Sequence, residues 1–120
     1  MQSYILLVDN NDDLADNLKL ILEMEGFEVR SVSGSAAALQ LMREELPGLI
    51  LADIVMPGAN GYDLFRQVKS NQSWASVPFV FLSALTTSED INRGLKLGAN
   101  GYITKPFSIG DLLSMINRCL

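Results

Sequence analysis

The sequence predicts an α/β fold, a doubly wound five-stranded parallel sheet with strand order 2-1-3-4-5. Short apolar runs alternate with longer amphipathic segments five times along the 120 residues, which is typical of repeated strand–helix units. The first, third and fourth runs are almost continuously apolar, as expected of strands that are buried on both faces of a parallel sheet. The second and fifth runs are weaker and interrupted by polar residues, so we expect them at the sheet edges.

Each predicted strand is a short apolar run that ends at a polar residue or a turn. Asp9 stops the first run and Asp53 stops the third. No linker, repeat or low-complexity segment separates the strand–helix units, so residues 1–120 are predicted to form one domain. The strands are predicted over residues 4–8, 27–32, 49–52, 77–82 and 101–103.

A helix is predicted after each strand, and most of the helices begin at a residue that can cap free backbone N–H groups. Thr87 and Ser108 each stand three residues before an aspartate, a spacing like that of a capping box. The predicted N-caps are Asn11, Ser35, Thr87 and Ser108, the second and third helices are predicted over residues 36–45 and 63–70, and Gly26 and Gly98 end the first and fourth.

The composition excludes several kinds of chemistry. The chain has no histidine, which removes Ser–His and Cys–His nucleophile pairs and His-ligated zinc. The single cysteine, Cys119, permits no internal disulfide, and no apolar run is long enough to span a membrane. We therefore expect a reducing, cytoplasmic setting without membrane contact. The net charge of −5 argues against direct binding of nucleic acid.

Four polar residues stand at the carboxyl ends of predicted strands. Asp9 and Asp53 follow the first and third strands, Ser83 follows the fourth, and Lys105 follows the fifth. The predicted winding reverses between the first and third strands, which is where open parallel sheets bind ligands. Two carboxylates near a phosphate suit Mg²⁺ or Mn²⁺. Lys105 supplies a positive charge for a phosphoryl group, and Asp53 is a candidate nucleophile toward phosphorus.

Four motifs in register resemble those of response-regulator receiver domains of two-component signalling. They are Leu-Val-Asp at 7–9, Leu-Ala-Asp-Ile-Val-Met-Pro-Gly at 51–58, Phe-Leu-Ser-Ala at 81–84, and Gly-Ala-Asn-Gly-Tyr-Ile-Thr-Lys-Pro-Phe at 98–107. The resemblance covers essentially the whole chain, whose size is close to that of the single-domain chemotaxis type. It implies a flavodoxin-like (βα)5 fold and a phosphorelay switch rather than a turnover enzyme.

The resemblance also implies a role for each residue of the site. Asp53 would be the phosphoacceptor, and Asp9, Asp53 and the backbone carbonyl of Val55 would bind Mg²⁺. Ser83 and Lys105 would contact the phosphoryl group. The donor would be a histidine on a separate histidine kinase or phosphotransfer protein.

Further consequences of the resemblance concern the switch. The Lys105–Pro106 peptide bond would be cis, and Ser83 and Tyr102 would form the switch pair. The surface of the fourth helix, fifth strand and fifth helix would then dock a downstream target protein or an output domain.

Asn10 departs from the family pattern, which usually has a second acidic residue at this position. Its amide can reach a metal weakly or through a water but brings no charge, so weaker Mg²⁺ binding is expected. Val55 and Leu85, two residues beyond Asp53 and Ser83, are apolar and cannot orient an attacking water, which predicts slow self-dephosphorylation. Asn10 also leaves open a second function, a receiver-like adaptor that binds partners without being phosphorylated.

Overall fold

The computed structural model describes residues 3–56, 58 and 60–120, in which strands and helices alternate five times. Among the described residues no helix is both long and apolar enough to cross a membrane. The strands are β1 Ile5–Val8, β2 Val29–Val32, β3 Leu49–Ala52, β4 Phe79–Ser83 and β5 Gly101–Thr104. The helices are α1 Asp12–Met24, α2 Ser35–Glu44, α3 Gly61–Ser70, α4 Ser88–Lys96 and α5 Ile109–Cys119.

The sheet confirms the predicted α/β class and strand order. Its five strands lie in the order β2-β1-β3-β4-β5, and every neighbouring pair is parallel. Within the pair formed by β1 and β3, Val8 stands opposite Ala52. The next residues, Asp9 and Asp53, therefore leave the same edge of the sheet side by side.

Both faces of the sheet are buried, which explains the continuous apolar runs. Successive side chains of a strand point to opposite faces, so Leu6 and Phe81 pack with residues of α2 and α3. Leu7 and Leu82 pack on the other face with residues of α1 and α5. Because helices cover both faces, the edge where the strands end is left for polar side chains.

Three of the four predicted N-caps are confirmed and one is wrong. The side chains of Asn11, Thr87 and Ser108 each accept a hydrogen bond from a backbone N–H three residues further on. Ser35 is instead the first residue of α2, and Gly34 occupies the cap position without a side-chain hydrogen bond. Ser35 is buried, so this side chain belongs to the interior rather than to the open end of the helix.

Several elements begin one or two residues away from the predicted starts, and for α3 and β4 the reason is local. α3 begins at Gly61, two residues early, because Asn60 and Asp63 form a capping box. In this box Asn60 Oδ1 accepts from the Asp63 N–H at 3.0 Å, and Asp63 Oδ2 accepts from the Asn60 N–H at 3.3 Å. β4 begins at Phe79, because the preceding Pro78 has no N–H to donate to a neighbouring strand.

Candidate functional site

The carboxyl edge of the sheet brings Asp9, Asp53 and Lys105 into contact, as their positions after strands predict. Lys105 Nζ lies 2.7 Å from Asp9 Oδ2 and 3.2 Å from Asp53 Oδ2. These residues are far apart in the chain, 96 positions for Lys105 and Asp9. Parallel strand order alone joins them, because the ends of β1, β3 and β5 lie at one edge.

The three charged groups of this cluster are largely withdrawn from solvent. Asp9 is 2% exposed and Asp53 is 8% exposed, while the Lys105 side chain is 17% exposed. Two buried carboxylates repel each other unless a cation lies between them. The Lys105 ammonium group supplies that charge, which leaves a formal charge of −1 for the cluster, from two carboxylates and one ammonium.

Backbone N–H groups hold the second oxygen of each carboxylate. Asp53 Oδ1 accepts from the N–H of Ile54 at 2.7 Å and from that of Val55 at 3.3 Å. Asp9 Oδ1 accepts from the Asn11 N–H at 2.9 Å. Each aspartate is thus fixed on one side by the backbone and turned toward Lys105 on the other, so the orientation of both carboxylates is defined.

Gly61 is a residue of the site that the sequence pattern does not single out. Its N–H donates to the Ile54 carbonyl at 2.8 Å, which ties the start of α3 to the segment after Asp53. A Cβ atom at this position would overlap the Asp53 carbonyl oxygen and lie 2.8 Å from Ile54 Cα. Only glycine allows α3 to begin this close to Asp53. The capping pair Asn60 and Asp63, which brackets Gly61, was the available signal.

Ser83 and Tyr102 are both tied to Leu85. The buried Ser83 Oγ accepts from the Leu85 N–H at 3.2 Å, and the Tyr102 hydroxyl donates to the Leu85 carbonyl at 2.6 Å. Burial raises the pKa of Tyr102, and the Ser83 hydroxyl partly offsets this effect. The Lys105 backbone N–H donates to the Ser83 carbonyl at 2.8 Å, but among the described residues no hydrogen bond joins the Ser83 hydroxyl to the side chain of Asp53 or Lys105. Ser83 therefore reaches the predicted edge but lies outside the ion cluster.

The remaining predicted site residues lie at the rim of the cluster. Val55 is 59% exposed beside Asp53, and Asn10 is exposed beside Asp9. The peptide bond between Lys105 and Pro106 is cis. Pro106 is exposed.

The oxygen donors at this edge suit a hard divalent cation better than a soft one. No group of three His, Cys, Asp or Glu side chains in the described part of the chain is arranged to hold a metal. The pair of carboxylates from Asp9 and Asp53 does not match the four-ligand tetrahedral sites of structural zinc. The pair does fit Mg²⁺, which keeps several waters and takes only one or two carboxylates from a protein.

The sheet is doubly wound, and its winding reverses between β1 and β3, where the two aspartates lie with Lys105 between them. These features define a class of α/β domain with an acidic ligand site at the carboxyl edge of the sheet. The chain belongs to the response regulator receiver domain family, whose model matches residues 5–117. The resemblance seen in the sequence is thereby confirmed. The chain is accordingly a receiver domain of two-component response regulators, a component of phosphorelay signalling.

The match covers different shares of the individual relatives. The DNA-binding response regulator MtrA of Mycolicibacterium smegmatis is 36% identical over 120 residues, which are 100% of this chain and 51% of the relative. The signal receiver domain of a signal transduction histidine kinase from Syntrophus aciditrophicus is 33% identical, with a TM-score of 0.90 over 98% of this chain and 89% of that one. The chemotaxis response regulator CheY4 of Vibrio cholerae is 25% identical, with a TM-score of 0.91 over 100% of both chains. The chain spans about half the length of the curated relatives that it matches.

Proposed function

We propose that Asp53 receives a phosphoryl group from a histidine kinase or a phosphotransfer protein, in a reaction that depends on Mg²⁺ or Mn²⁺. The observation that carries this proposal is the way the Asp53 carboxylate is held. Two backbone N–H groups bind Oδ1, and the Lys105 ammonium group lies 3.2 Å from Oδ2. A fixed orientation and a neighbouring positive charge are what a carboxylate nucleophile requires for attack on an anionic phosphoryl group.

The proposed transfer forms a bond between an Asp53 carboxylate oxygen and phosphorus. It breaks the bond between phosphorus and the donor histidine nitrogen, and the departing imidazole takes up a proton. The Lys105 ammonium group neutralises charge on the phosphoryl oxygens. Asp9, Asp53 and the Val55 carbonyl would hold Mg²⁺, with Asn10 contributing weakly or through a water. When bound, the metal supplies further charge neutralisation.

The same proposal assigns the switch to Ser83 and Tyr102. If the Ser83 hydroxyl turns toward a phosphoryl group on Asp53, its hydrogen bond from the Leu85 N–H is lost. The Leu85 carbonyl is the acceptor of the Tyr102 hydroxyl, so a shift of Leu85 also releases Tyr102. Since Tyr102 lies on β5, this coupling favours α4, β5 and α5 as the surface that docks a target protein or an output domain.

We further propose that residues 1–120 act as one phosphoacceptor domain in the cytoplasm and function as a switch rather than as a turnover enzyme. Self-dephosphorylation needs a side chain that orients water at the phosphoryl group. Val55 and Leu85, two residues beyond Asp53 and Ser83, are apolar, and Val55 is 59% exposed. A water there finds no polar side chain on these two residues, so the phosphorylated state should be long-lived.

Incubation with acetyl phosphate and Mg²⁺, followed by intact mass measurement, tests the proposal. The wild-type chain should gain the mass of one phosphoryl group, and Asp53→Ala should not. Asp16→Ala is the matched control, because Asp16 is an exposed aspartate of α1 away from the cluster. A gain of mass in Asp53→Ala equal to that of the wild type would show that another residue is the acceptor.

A second candidate function is a receiver-like adaptor that binds its partners without phosphorylation. The neutral Asn10 favours it, because the site lacks the additional negative charge that would strengthen metal binding. An unchanged intact mass of the wild-type chain after incubation with acetyl phosphate and Mg²⁺ would support the adaptor over the switch.

A further inference from the structure

Tyr62, the second residue of α3, has a buried hydroxyl without a hydrogen-bond partner among the described residues. The whole residue is only 4% exposed. The other two tyrosines differ, because Tyr4 donates to the Glu45 carbonyl at 2.5 Å and Tyr102 donates to the Leu85 carbonyl at 2.6 Å. A buried tyrosine hydroxyl normally has a partner. The unpartnered hydroxyl therefore calls for an explanation beyond packing.

Tyr62 belongs to an aromatic platform on which α4 rests. Its ring meets the ring of Phe81 edge-on, with centroids 5.4 Å apart, and the Phe81 centroid lies 6.1 Å from that of Tyr102. α4 approaches this platform at Gly94, where a Cβ atom would lie 3.0 Å from both Phe81 and Tyr102. The neighbouring Arg93 places its guanidinium carbon 4.3 Å from the Tyr62 ring centroid. A movement of α4 over the sheet must therefore change its contact with Tyr62.

Two charged side chains of α4 act on the Tyr62 hydroxyl. Burial raises the pKa of Tyr62, the Arg93 guanidinium group opposes this rise, and the Asp90 carboxylate adds to it. Asp90 Oδ2 accepts a hydrogen bond from Thr87 Oγ1 at 2.6 Å, in an exposed part of the first turn. α4 thus carries both the cation that stacks on the Tyr62 ring and a carboxylate within electrostatic reach of the hydroxyl.

We propose that Tyr62 is a positioning residue for α4 and sets the balance between two placements of this helix. In the placement described above, Arg93 stacks on the ring and the hydroxyl has no partner. In the second placement, which phosphorylation favours, the Asp90 carboxylate accepts the hydrogen bond of Tyr62. The inference rests on the proposed function, because Tyr102 of the same platform belongs to the proposed switch. The unpartnered hydroxyl disfavours the first placement by about tenfold.

The test compares Tyr62→Phe with Tyr4→Phe, which removes a hydroxyl that has a partner far from α4. Intact mass after incubation with acetyl phosphate and Mg²⁺ reports phosphoryl uptake, and amide NMR signals of residues 88–97 report the placement of α4. Tyr62→Phe should take up the phosphoryl group as the wild type does and resist urea at least as well. Its ratio of second to first placement should be about tenfold lower. Tyr4→Phe should unfold more easily and leave that ratio unchanged.

Two results would overturn the inference. One is an unchanged α4 ratio in Tyr62→Phe with normal phosphoryl uptake, and the other is a loss of stability as large as that of Tyr4→Phe. A wild-type chain that gains no mass contradicts the proposed function instead. In that case relaxation-dispersion NMR of the unphosphorylated protein decides the inference. The minor population, with α4 in the second placement, should be smaller in Tyr62→Phe than in the wild type, and an equal population refutes the inference.

Discussion

The substitution Lys105→Met removes the positive charge between Asp9 and Asp53 and keeps a side chain of similar length. Lys105 Nζ lies 2.7 Å and 3.2 Å from the two carboxylates. Loss of one partner of a buried ion pair costs about 3–5 kcal/mol of unfolding free energy, because the remaining charge is uncompensated. The Lys105 side chain is 17% exposed, so water partly reaches the carboxylates. We therefore expect the lower end, about 3 kcal/mol.

Mg²⁺ should offset part of that loss, because without the ammonium group the two carboxylates of Asp9 and Asp53 attract a divalent cation more strongly. A ligand at a hundredfold excess over its Kd stabilises a folded protein by about 2.7 kcal/mol. Urea unfolding followed by circular dichroism, with and without Mg²⁺, measures both effects. The stabilisation by Mg²⁺ should be larger in Lys105→Met than in the wild type.

The matched control for this experiment is Lys96→Met. Lys96 is an exposed residue of α4 without an ion pair among the described residues, so its replacement should change stability by less than about 0.5 kcal/mol. If Lys105→Met in Mg²⁺-free buffer has the same unfolding free energy as Lys96→Met, then Lys105 does not stabilise the fold by pairing with the two carboxylates. That result would refute the expected loss.

Three further substitutions test other parts of the site. Gly61→Ala should lower the unfolding free energy by about 1–3 kcal/mol and reduce phosphoryl uptake, because the added Cβ overlaps the Asp53 carbonyl; unchanged urea unfolding would contradict this. Asn10→Asp should lower the midpoint of a Mg²⁺ titration by about tenfold, since it adds a negative charge beside the cation; an unchanged midpoint would show that Asn10 does not limit binding. Leu85→Glu or Val55→Asn should speed loss of the phosphoryl group by about tenfold, because the new polar side chain can orient water. Intact mass measured over time follows this loss. A decay no faster than that of the wild type would count against slow self-dephosphorylation.

The strand order could be predicted because it depends on how apolar each run is. β1, β3 and β4 are buried at every position, whereas β2 and β5 contain partly exposed residues. Strand order and strand ends together then place Asp9, Asp53 and Lys105 at one edge. The apolar character of a run and the residue at its end are properties of short segments, so they can be recognised in the sequence without any tertiary distance.

The contributions of Gly61 and Tyr62 could not be predicted in this way. Gly61 is required because α3 starts against the Asp53 carbonyl, and the unpartnered hydroxyl of Tyr62 depends on where α4 crosses the sheet. Both are consequences of how one helix is placed on another element. Ser35 fails for a related reason, since its type suits a cap but its position is buried within α2.

In the proposed metal site, Lys105 and a divalent cation would interact with the same carboxylate oxygens. Oδ2 of Asp9 and Oδ2 of Asp53 both face the ammonium group, so a cation that binds these oxygens would share them with Lys105 and weaken the attraction between the lysine and the two carboxylates. The neutral Asn10 adds no attraction for the cation, and the resting site should therefore keep its lysine paired. A phosphoryl group on Asp53 brings new negative charge to Lys105 and weakens the hold of the lysine on Asp9. We therefore expect the Mg²⁺ affinity of the wild type to rise upon phosphorylation. The rise should be a larger factor in the wild type than in Asn10→Asp, because the unphosphorylated site of that variant already attracts the cation.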